Sequence, residues 1–103
     1  MSEAMEARKA SGVDPDIKRS NLNRLRRIEG QIRGLQKMVD EDRYCADILE
    51  QIASVQQALR GVGRALMRNH LHHCVADAIT KGTPDETEAM YDELLELIFK
   101  NVR

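Results

Sequence analysis

The chain has 103 residues, of which 42% are hydrophobic and 3% aromatic, and its formal net charge is −1. This length accommodates one small domain and limits how much apolar surface a monomer can bury, which makes association with further copies a natural remedy. The sequence has neither the charged-then-apolar pattern of a secretory signal nor an apolar run long enough to span a membrane. We therefore expect a cytoplasmic protein whose cysteines are reduced and available to a metal.

The N-terminal part of the chain predicts a tail followed by a first helix. Residues 1–13 are polar and alanine-rich, and we expect a disordered or frayed tail ahead of a single helical domain, residues 14–103. Asp14 and Pro15 favour an N-cap and a first helical position, so a helix is predicted over about 15–39. Apolar residues recur along it every three or four positions and predict one buried face: Leu22, Leu25, Ile28, Ile32, Leu35 and Val39.

A second, longer helix is predicted over about 45–80 and a third over about 84–100. The second helix carries a heptad-like apolar seam: Ile48, Ile52, Val55, Leu59, Val62 and Leu66. Thr83, Pro84 and Glu86 form a capping-box sequence with proline in the first turn, which marks the start of the third helix. Because no segment shows the alternating pattern of a half-buried strand, the predicted fold class is all-α.

Cys45, His70 and Cys74 have the residue types and spacing of a shared metal site. His70 and Cys74 are four residues apart in a helical segment, so their side chains project from one face. Cys45 lies 25 residues before His70, a separation of about 37 Å along a continuous helix, so only an antiparallel second copy would bring its cysteine beside this pair. Two thiolates and an imidazole form a soft ligand set that suits Cu(I) or Zn(II). The alternative is two structural thiols and a surface histidine.

Two further histidines leave the number of ligands open. His72 is turned away from His70 on a helical wheel, so we expect it to face solvent. His73 is three residues from His70 and would complete a tetrahedral, zinc-like site if it binds the metal. The alternative is that His73 lies beside the site or in solvent without binding the metal.

Charge is distributed unevenly along the chain, with a net +4 over residues 17–43 and a net −3 over residues 81–103. Arg19, Arg26 and Arg33 recur every seven positions, opposite the apolar face of the first helix. Such a row can contact successive DNA phosphates, mainly through charge, and the alternative is an ordinary solvated helix face. The other basic residues that could belong to this surface are Arg24, Arg27, Lys37 and Arg64.

The sequence offers no catalytic arrangement, because serine is scarce, a glycine-rich phosphate loop is absent and neither cysteine has a separate general base. The protein is therefore predicted not to be an enzyme. A zinc-stabilised structural dimer is the alternative to a DNA-binding metal sensor, and DNA binding that responds to metal separates the two.

Three stretches of the chain together resemble the CsoR family of copper-sensing repressors, in the CsoR/RcnR superfamily. They are NLNRLRRIEGQIRG at residues 21–34, the Tyr44–Cys45 pair, and NHLHHC at residues 69–74. The similarity extends over roughly residues 17–100. It implies a three-helix subunit without a helix-turn-helix, an antiparallel helical dimer and a dimer of dimers. It also implies a Cu(I)-responsive repressor, whose metal-free form binds operator DNA and whose release by Cu(I) derepresses copper-resistance genes.

The same resemblance assigns roles to individual residues. The Cu(I) ligands would be Cys45 from one protomer with His70 and Cys74 from the other. Tyr44 matches a tyrosine that supports the ligands, and a supporting glutamate of the third helix is expected at Glu93. The DNA-contacting residues, of which Arg24 and Arg64 match family arginines, are then expected to be Arg24, Arg26, Arg33, Lys37 and Arg64.

Relatives with other inducers differ at the ligand positions. Nickel and cobalt sensors add an N-terminal histidine, and this chain has none before His70. Persulfide sensors carry cysteine at the position of His70, and formaldehyde sensors lack the ligand that Cys74 supplies here. Copper is therefore the expected inducer, with binding of Zn(II) or Ni(II) left open. The implied partners are operator DNA, further copies of the chain, and a copper chaperone as metal donor.

Overall fold

The computed structural model describes residues 8–101, which form helices and short connections. The elements in chain order are α1 (Pro15–Asp40), α2 (Cys45–Asn69), a π-helical segment (His70–Val75), α3 (Ala76–Lys81) and α4 (Pro84–Asn101). No strand occurs in this part of the chain, and the predicted all-α class is confirmed. None of the described helices is both long and apolar enough to cross a membrane. Most of the predicted tail, residues 1–7, lies outside the described residues.

The start of α1 follows from Asp14, whose carboxylate Oδ1 accepts hydrogen bonds from the backbone N–H groups of Asp16 (2.8 Å) and Ile17 (3.4 Å). Pro15 occupies the first helical position, where its missing N–H leaves no hydrogen bond unmade. The turn after α1 contains Asp42 at a φ of 54°, a left-handed conformation that aspartate adopts more readily than most residues. The predicted cap is therefore observed, and α1 ends at Asp40, one residue beyond its predicted end.

Residues 14–67 form one compact unit, made of α1 and most of α2. Its core contains Ile28 from α1 with Val55 and Val62 from α2, each no more than 6% exposed. Burial of this cluster holds α1 against α2. Other members of the two predicted apolar stripes remain exposed: Leu22, Leu25, Ile32, Leu59 and Leu66. One chain therefore buries only part of the apolar surface that its sequence pattern provides.

The second compact unit contains residues 8–13 and 68–101 of the described chain. In this unit α4 packs against both the π-helical segment and α3. The Thr87 hydroxyl donates a hydrogen bond to the carbonyl of Ala78 at 2.9 Å, which ties α4 to α3. Cys74 and Val75 of the π-helical segment are buried in this unit.

The turn between α3 and α4 combines a required glycine with the predicted capping box. A Cβ at Gly82 would lie 2.5 Å from the carbonyl oxygen of Ala78, so a side chain at this position would force the backbone to move. The Glu86 N–H donates to Thr83 Oγ1 at 3.2 Å, and the Thr83 hydroxyl donates to Glu86 Oε1 at 3.3 Å. The first bond satisfies one of the N–H groups that the start of α4 leaves unpaired, and the second joins the two side chains.

The long second helix of the sequence prediction is observed as three successive stretches with a wider turn inside it. Asn69 and Ala76, on either side of the π-helical segment, both have helical backbone angles, with φ and ψ near −60° and −42°. The helix therefore continues through the segment and changes its hydrogen-bonding pattern only at His70–Val75. Single π-turns inside α-helices occur frequently at functional sites. Here the π-turn coincides with the His-x-x-x-Cys sequence.

Candidate functional site

The π-helical segment holds His70 and Cys74 in a largely buried environment. Cys74 is a free cysteine whose residue is 9% exposed. His70 is half-buried, and its Nε2 atom is buried without a hydrogen-bond partner among the described residues. A buried polar atom without a partner costs about 1–3 kcal/mol, and bonding to a soft metal ion would remove this cost. The imidazole nitrogen and the thiol therefore fit a metal-binding pair.

Cys45 and Tyr44 lie at the opposite end of α2 from His70. Cys45 is the first residue of α2 and is exposed, and Tyr44 just before it is 73% exposed. The carbonyl of Tyr44 accepts hydrogen bonds from the N–H groups of Asp47 (3.0 Å) and Ile48 (3.2 Å), which begins the helix. His70 follows Asn69, the last of the 25 residues of α2. Among the described residues of one chain, no three His, Cys, Asp or Glu side chains are grouped to hold a metal.

The two other histidines differ in their surroundings. His72 is exposed, as the helical wheel predicts. The ring of His73 lies against Gly12, where an added Cβ would be 2.8 Å from His73 Nδ1. The wider π-turn also rotates residues three apart further from one another than an α-helix does. The structure therefore places His73 against Gly12, in the stretch that precedes α1.

We call residues 8–13 the N-terminal arm, because this stretch packs on the second compact unit at several points. The carbonyl of Gly12 accepts a hydrogen bond from Asn69 Nδ2 at 2.9 Å, and Asn69 is only 7% exposed. Arg8 Nη2 donates to Glu93 Oε2 at 3.0 Å. The predicted supporting glutamate therefore lies on α4 in an ion pair with the arm. Sequence reasoning missed these contacts, since a carbonyl, a glycine and one ion pair leave no periodic signal.

The arginine row of α1 is exposed, and each member has a polar partner on the same helix. Arg19 lies 3.6 Å from Asp16 Oδ1, and Arg33 lies 3.3 Å from Glu29 Oε1. Arg26 Nη1 donates to Asn23 Oδ1 at 3.3 Å. Exposed pairs of this kind contribute about 0–1 kcal/mol, so a phosphate can displace them. Two further candidates for the DNA surface are exposed as well: Lys37 and Arg64.

Two neighbouring clefts lie in the unit of residues 14–67. The first, here called the α1–α2 cleft, has a volume of about 410 Å³. It is lined by Arg24, Arg27, Ile28, Gln31, Ser54, Gln57, Ala58 and Gly61. The second, the α1 cleft, has a volume of about 390 Å³ and is lined by Asp16, Arg19, Ser20, Asn23, Arg24 and Arg27. The two clefts share a pair of arginines, Arg24 and Arg27, of which only Arg24 belongs to the predicted DNA-contacting set.

The chain is similar to known metal-responsive regulators along most of its length. Residues 17–100 match the family described as metal-sensitive transcriptional repressor. The copper-sensing transcriptional repressor CsoR of Bacillus subtilis is 54% identical over 78 residues, which cover 76% of this chain and 74% of that protein.

Solved structures extend the similarity to the fold. The copper-sensing repressor CsoR with Cu(I) from Geobacillus thermodenitrificans has a TM-score of 0.78 at 43% identity, covering 89% of this chain and 93% of that chain. A variant of the formaldehyde-responsive regulator FrmR from Salmonella enterica has a TM-score of 0.69 at 30% identity, covering 87% of this chain and 99% of that chain. The resemblance inferred from the sequence motifs is thereby confirmed, and the chain belongs to the family of metal-sensitive transcriptional repressors.

Proposed function

We propose that this protein is a Cu(I)-responsive transcriptional repressor that works in the cytoplasm and has no enzymatic role. Its metal-free form binds operator DNA, and Cu(I) releases the protein from the operator and derepresses copper-resistance genes. The observation that carries the proposal is the buried Nε2 of His70, which has no hydrogen-bond partner in residues 8–101, on the same π-turn as the buried Cys74 thiol. The high identity to a copper-sensing repressor supports copper over other inducers.

The proposed metal site is completed across two copies of the chain. His70 and Cys74 supply two ligands, and the partner subunit's Cys45 supplies the third. The unbroken length of α2 supports this assignment, since Cys45 begins the helix and His70 follows directly after its end. When bound, Cu(I) accepts two thiolates and an imidazole as soft ligands. We leave His73 out of the proposed ligand set, since the Nδ1 side of its ring lies against Gly12 and three ligands complete the proposed site.

Two side chains are proposed to support the ligands. Tyr44 is exposed in one chain and directly precedes Cys45, so the antiparallel pairing would bring it to the same site as that cysteine. Glu93 lies on α4, which packs against the π-helical segment. Partners of this kind orient metal ligands and raise metal affinity.

The apolar surface that one chain leaves exposed supports a homodimer that pairs into a tetramer. On α2 this surface includes Leu59 and Leu66, which are 46% and 56% exposed. On α4 it includes Leu95 and Phe99, which are 53% and 72% exposed. Exposed apolar surface of this extent marks sites of association. Antiparallel packing of α2 on a second α2 would cover the first surface and bring the cysteine of one chain to the π-turn of the other.

The proposed DNA surface consists of basic residues on α1 and α2: Arg24, Arg26, Arg33, Lys37 and Arg64. Coupling between this surface and the metal site requires that Cu(I) bind the DNA-free conformation more tightly than the DNA-bound one. The same coupling free energy then weakens DNA binding when Cu(I) is present. A copper chaperone is the proposed donor of the metal.

An operator-binding experiment with four metal states tests the function. A promoter fragment from upstream of its own gene is titrated with the metal-free protein and with the Cu(I), Zn(II) and Ni(II) forms, and anisotropy reports binding. We expect tight binding by the metal-free form and release by Cu(I) at one equivalent per protomer. A zinc-held structural dimer predicts no binding in any state. Release by Ni(II) or Zn(II) with retention by Cu(I) would identify a different inducer.

A further inference from the structure

Two arginine residues, Arg24 and Arg27, line the α1–α2 cleft. The other polar side chains of this cleft are neutral: Gln31, Ser54 and Gln57. The lining therefore contains two positive charges and no carboxylate, above a partly apolar floor that includes Ile28. A cleft with one sign of charge and low-dielectric walls concentrates the electric field and attracts an anion.

The arginines of the exposed row have a different electrostatic environment. Arg19 and Arg33 each lie within 4 Å of a carboxylate on the same helix, that of Asp16 or Glu29. An anion that approaches either arginine must displace this carboxylate. Arg24 and Arg27 both line the α1–α2 cleft, whose lining includes no carboxylate, and they also line the α1 cleft, whose lining includes Asp16.

Gly61 provides the space that the Arg24 side chain occupies. A Cβ at Gly61 would lie 2.9 Å from Arg24 Nη1, so an added side chain would require the end of the flexible Arg24 side chain to move. Gly63, two residues further along α2, has no neighbouring atom of residues 8–101 within 4 Å of the same added atom. Both glycines weaken an isolated helix to a similar extent. Only Gly61 is therefore tied to the position of a charged side chain.

We infer that the α1–α2 cleft is the binding site for one backbone phosphate of bound DNA. Arg24 and Arg27 hold this phosphate jointly, and Gly61 is a positioning residue for Arg24. The inference rests on the proposed repressor function, which supplies the DNA. Guanidinium groups bind phosphate oxygens through paired N–H donors. Contacts to phosphate fix the position of a protein on the duplex and do not read its sequence. Arg27 thus joins the DNA-contacting residues, and the cleft fixes the register of α1 on the operator.

The first experiment measures operator affinity against salt concentration for wild type, Arg24→Gln, Arg27→Gln and the double variant. Loss of one phosphate contact should flatten the slope of log affinity against log salt by about 0.9 per protomer on the DNA. Each single change should weaken binding about tenfold or more. Because both side chains hold one phosphate, the loss of operator affinity in the double variant should be clearly smaller than the product of the two single losses. Arg43→Gln removes the same charge outside the cleft and measures the effect of net charge alone.

The possible outcomes distinguish failure of the shared phosphate-binding site from failure of the proposed repressor function. Two results would contradict a shared phosphate-binding site and leave the repressor function intact. In the first, the loss of operator affinity in the double variant equals the product of the two single losses. In the second, Arg27→Gln has the same operator affinity and the same salt dependence as Arg43→Gln. Absence of operator binding by the wild-type protein at every salt concentration would overturn the repressor function itself.

The second experiment tests the positioning role with the matched glycines. Gly61→Ala should weaken operator binding several-fold and Gly63→Ala should not, although both gain helix propensity. In an Arg24→Gln background Gly61→Ala should have no further effect, because the guanidinium that it displaces is gone. Cu(I) stoichiometry should be unchanged in all these variants. An equal loss from both glycine changes, or a Gly61→Ala effect that persists without Arg24, would contradict the role.

A third measurement distinguishes phosphate in DNA from free phosphate. Inorganic phosphate is titrated into the metal-free protein by calorimetry, and operator binding is compared in phosphate and chloride at equal ionic strength. We expect weak competition by phosphate, lost in Arg27→Gln. If inorganic phosphate binds tightly and Arg27→Gln keeps the wild-type operator affinity, the cleft binds a free anion and is not a binding site for a DNA phosphate.

Discussion

Replacement of His70 by leucine should remove a metal ligand without lowering the stability of the metal-free protein. The Nε2 atom of His70 is buried without a hydrogen-bond partner among the described residues. Leucine fills a similar space and has no polar atom to bury. We therefore expect the metal-free His70→Leu protein to be at least as stable as wild type, although most substitutions at buried positions destabilise a protein.

The magnitude follows from the buried atom and from mass action. Removal of one unsatisfied buried polar atom should raise the unfolding free energy by about 1 kcal/mol, the lower end of the range for such groups. In a domain of this size, 1 kcal/mol shifts Tm by about 4–8 °C. Cu(I) at 100 times its Kd should stabilise the wild-type protein by about 2.7 kcal/mol per site. The variant should lose most of this second increment because it lacks the imidazole ligand.

The assay is thermal unfolding of wild type and His70→Leu at one protein concentration, with and without Cu(I). The concentration must be equal because association of subunits also raises Tm. His72→Leu is the matched control, since His72 is exposed in the adjacent turn and its loss should leave the Cu(I) increment intact. The reasoning is refuted by a His70→Leu protein that is less stable than wild type by about 2 kcal/mol or more yet keeps the full Cu(I) increment.

Three further predictions use other contacts of the structure. A mixture of Cys45→Ala and Cys74→Ala chains should form heterodimers that bind one Cu(I) each. The wild-type dimer should bind two, and the homodimer of either variant should bind none. If isolated heterodimers bind no Cu(I) in a titration, the cross-chain site is excluded. Gly82→Ala should lower the unfolding free energy by about 1–3 kcal/mol, because its Cβ would lie 2.5 Å from the Ala78 carbonyl. Gly34→Ala should instead raise the unfolding free energy by about 1 kcal/mol, because no neighbouring atom in the described part of the chain lies within 4 Å of the added Cβ. Gly12→Ala should displace the N-terminal arm from His73 and speed tryptic cleavage after Arg8, whereas Ser11→Ala should leave the cleavage rate unchanged.

Local rules account for most of the secondary structure. Asp14 and Pro15 begin α1 where their capping preferences predict, and Thr83 with Glu86 caps α4. These features depend on residues within one turn of helix, so the sequence alone specifies them. The 3.6-residue period likewise identifies Ile28 and the α2 valines as core residues, although it gives no information on which stripe members stay exposed.

The parts that the sequence did not predict depend on contacts between distant residues. The π-turn at His70–Val75 lies inside a stretch that the sequence predicts as one helix over about 45–80, so the sequence pattern gives no indication of the change. Gly61 has the same local character as Gly63, and only the Arg24 side chain from another helix distinguishes them. The positions of the predicted ligands Cys45, His70 and Cys74 relative to a second chain remain a prediction.

Metal binding and assembly are linked if one partner supplies both the missing ligand and the cover for the exposed apolar seam of α2. A site with two ligands from the π-turn and one from the partner subunit's Cys45 exists only in the dimer. By linkage, Cu(I) then tightens the dimer by the same factor by which dimerisation tightens Cu(I). Soft ligands bind several thiophilic ions with little preference. Selectivity among these metal ions therefore depends on whether each ion accepts the coordination geometry that this dimer imposes. A repressor built in this way responds to a metal through the packing of two helices, and its apolar seam is therefore as much a part of the sensor as its thiols.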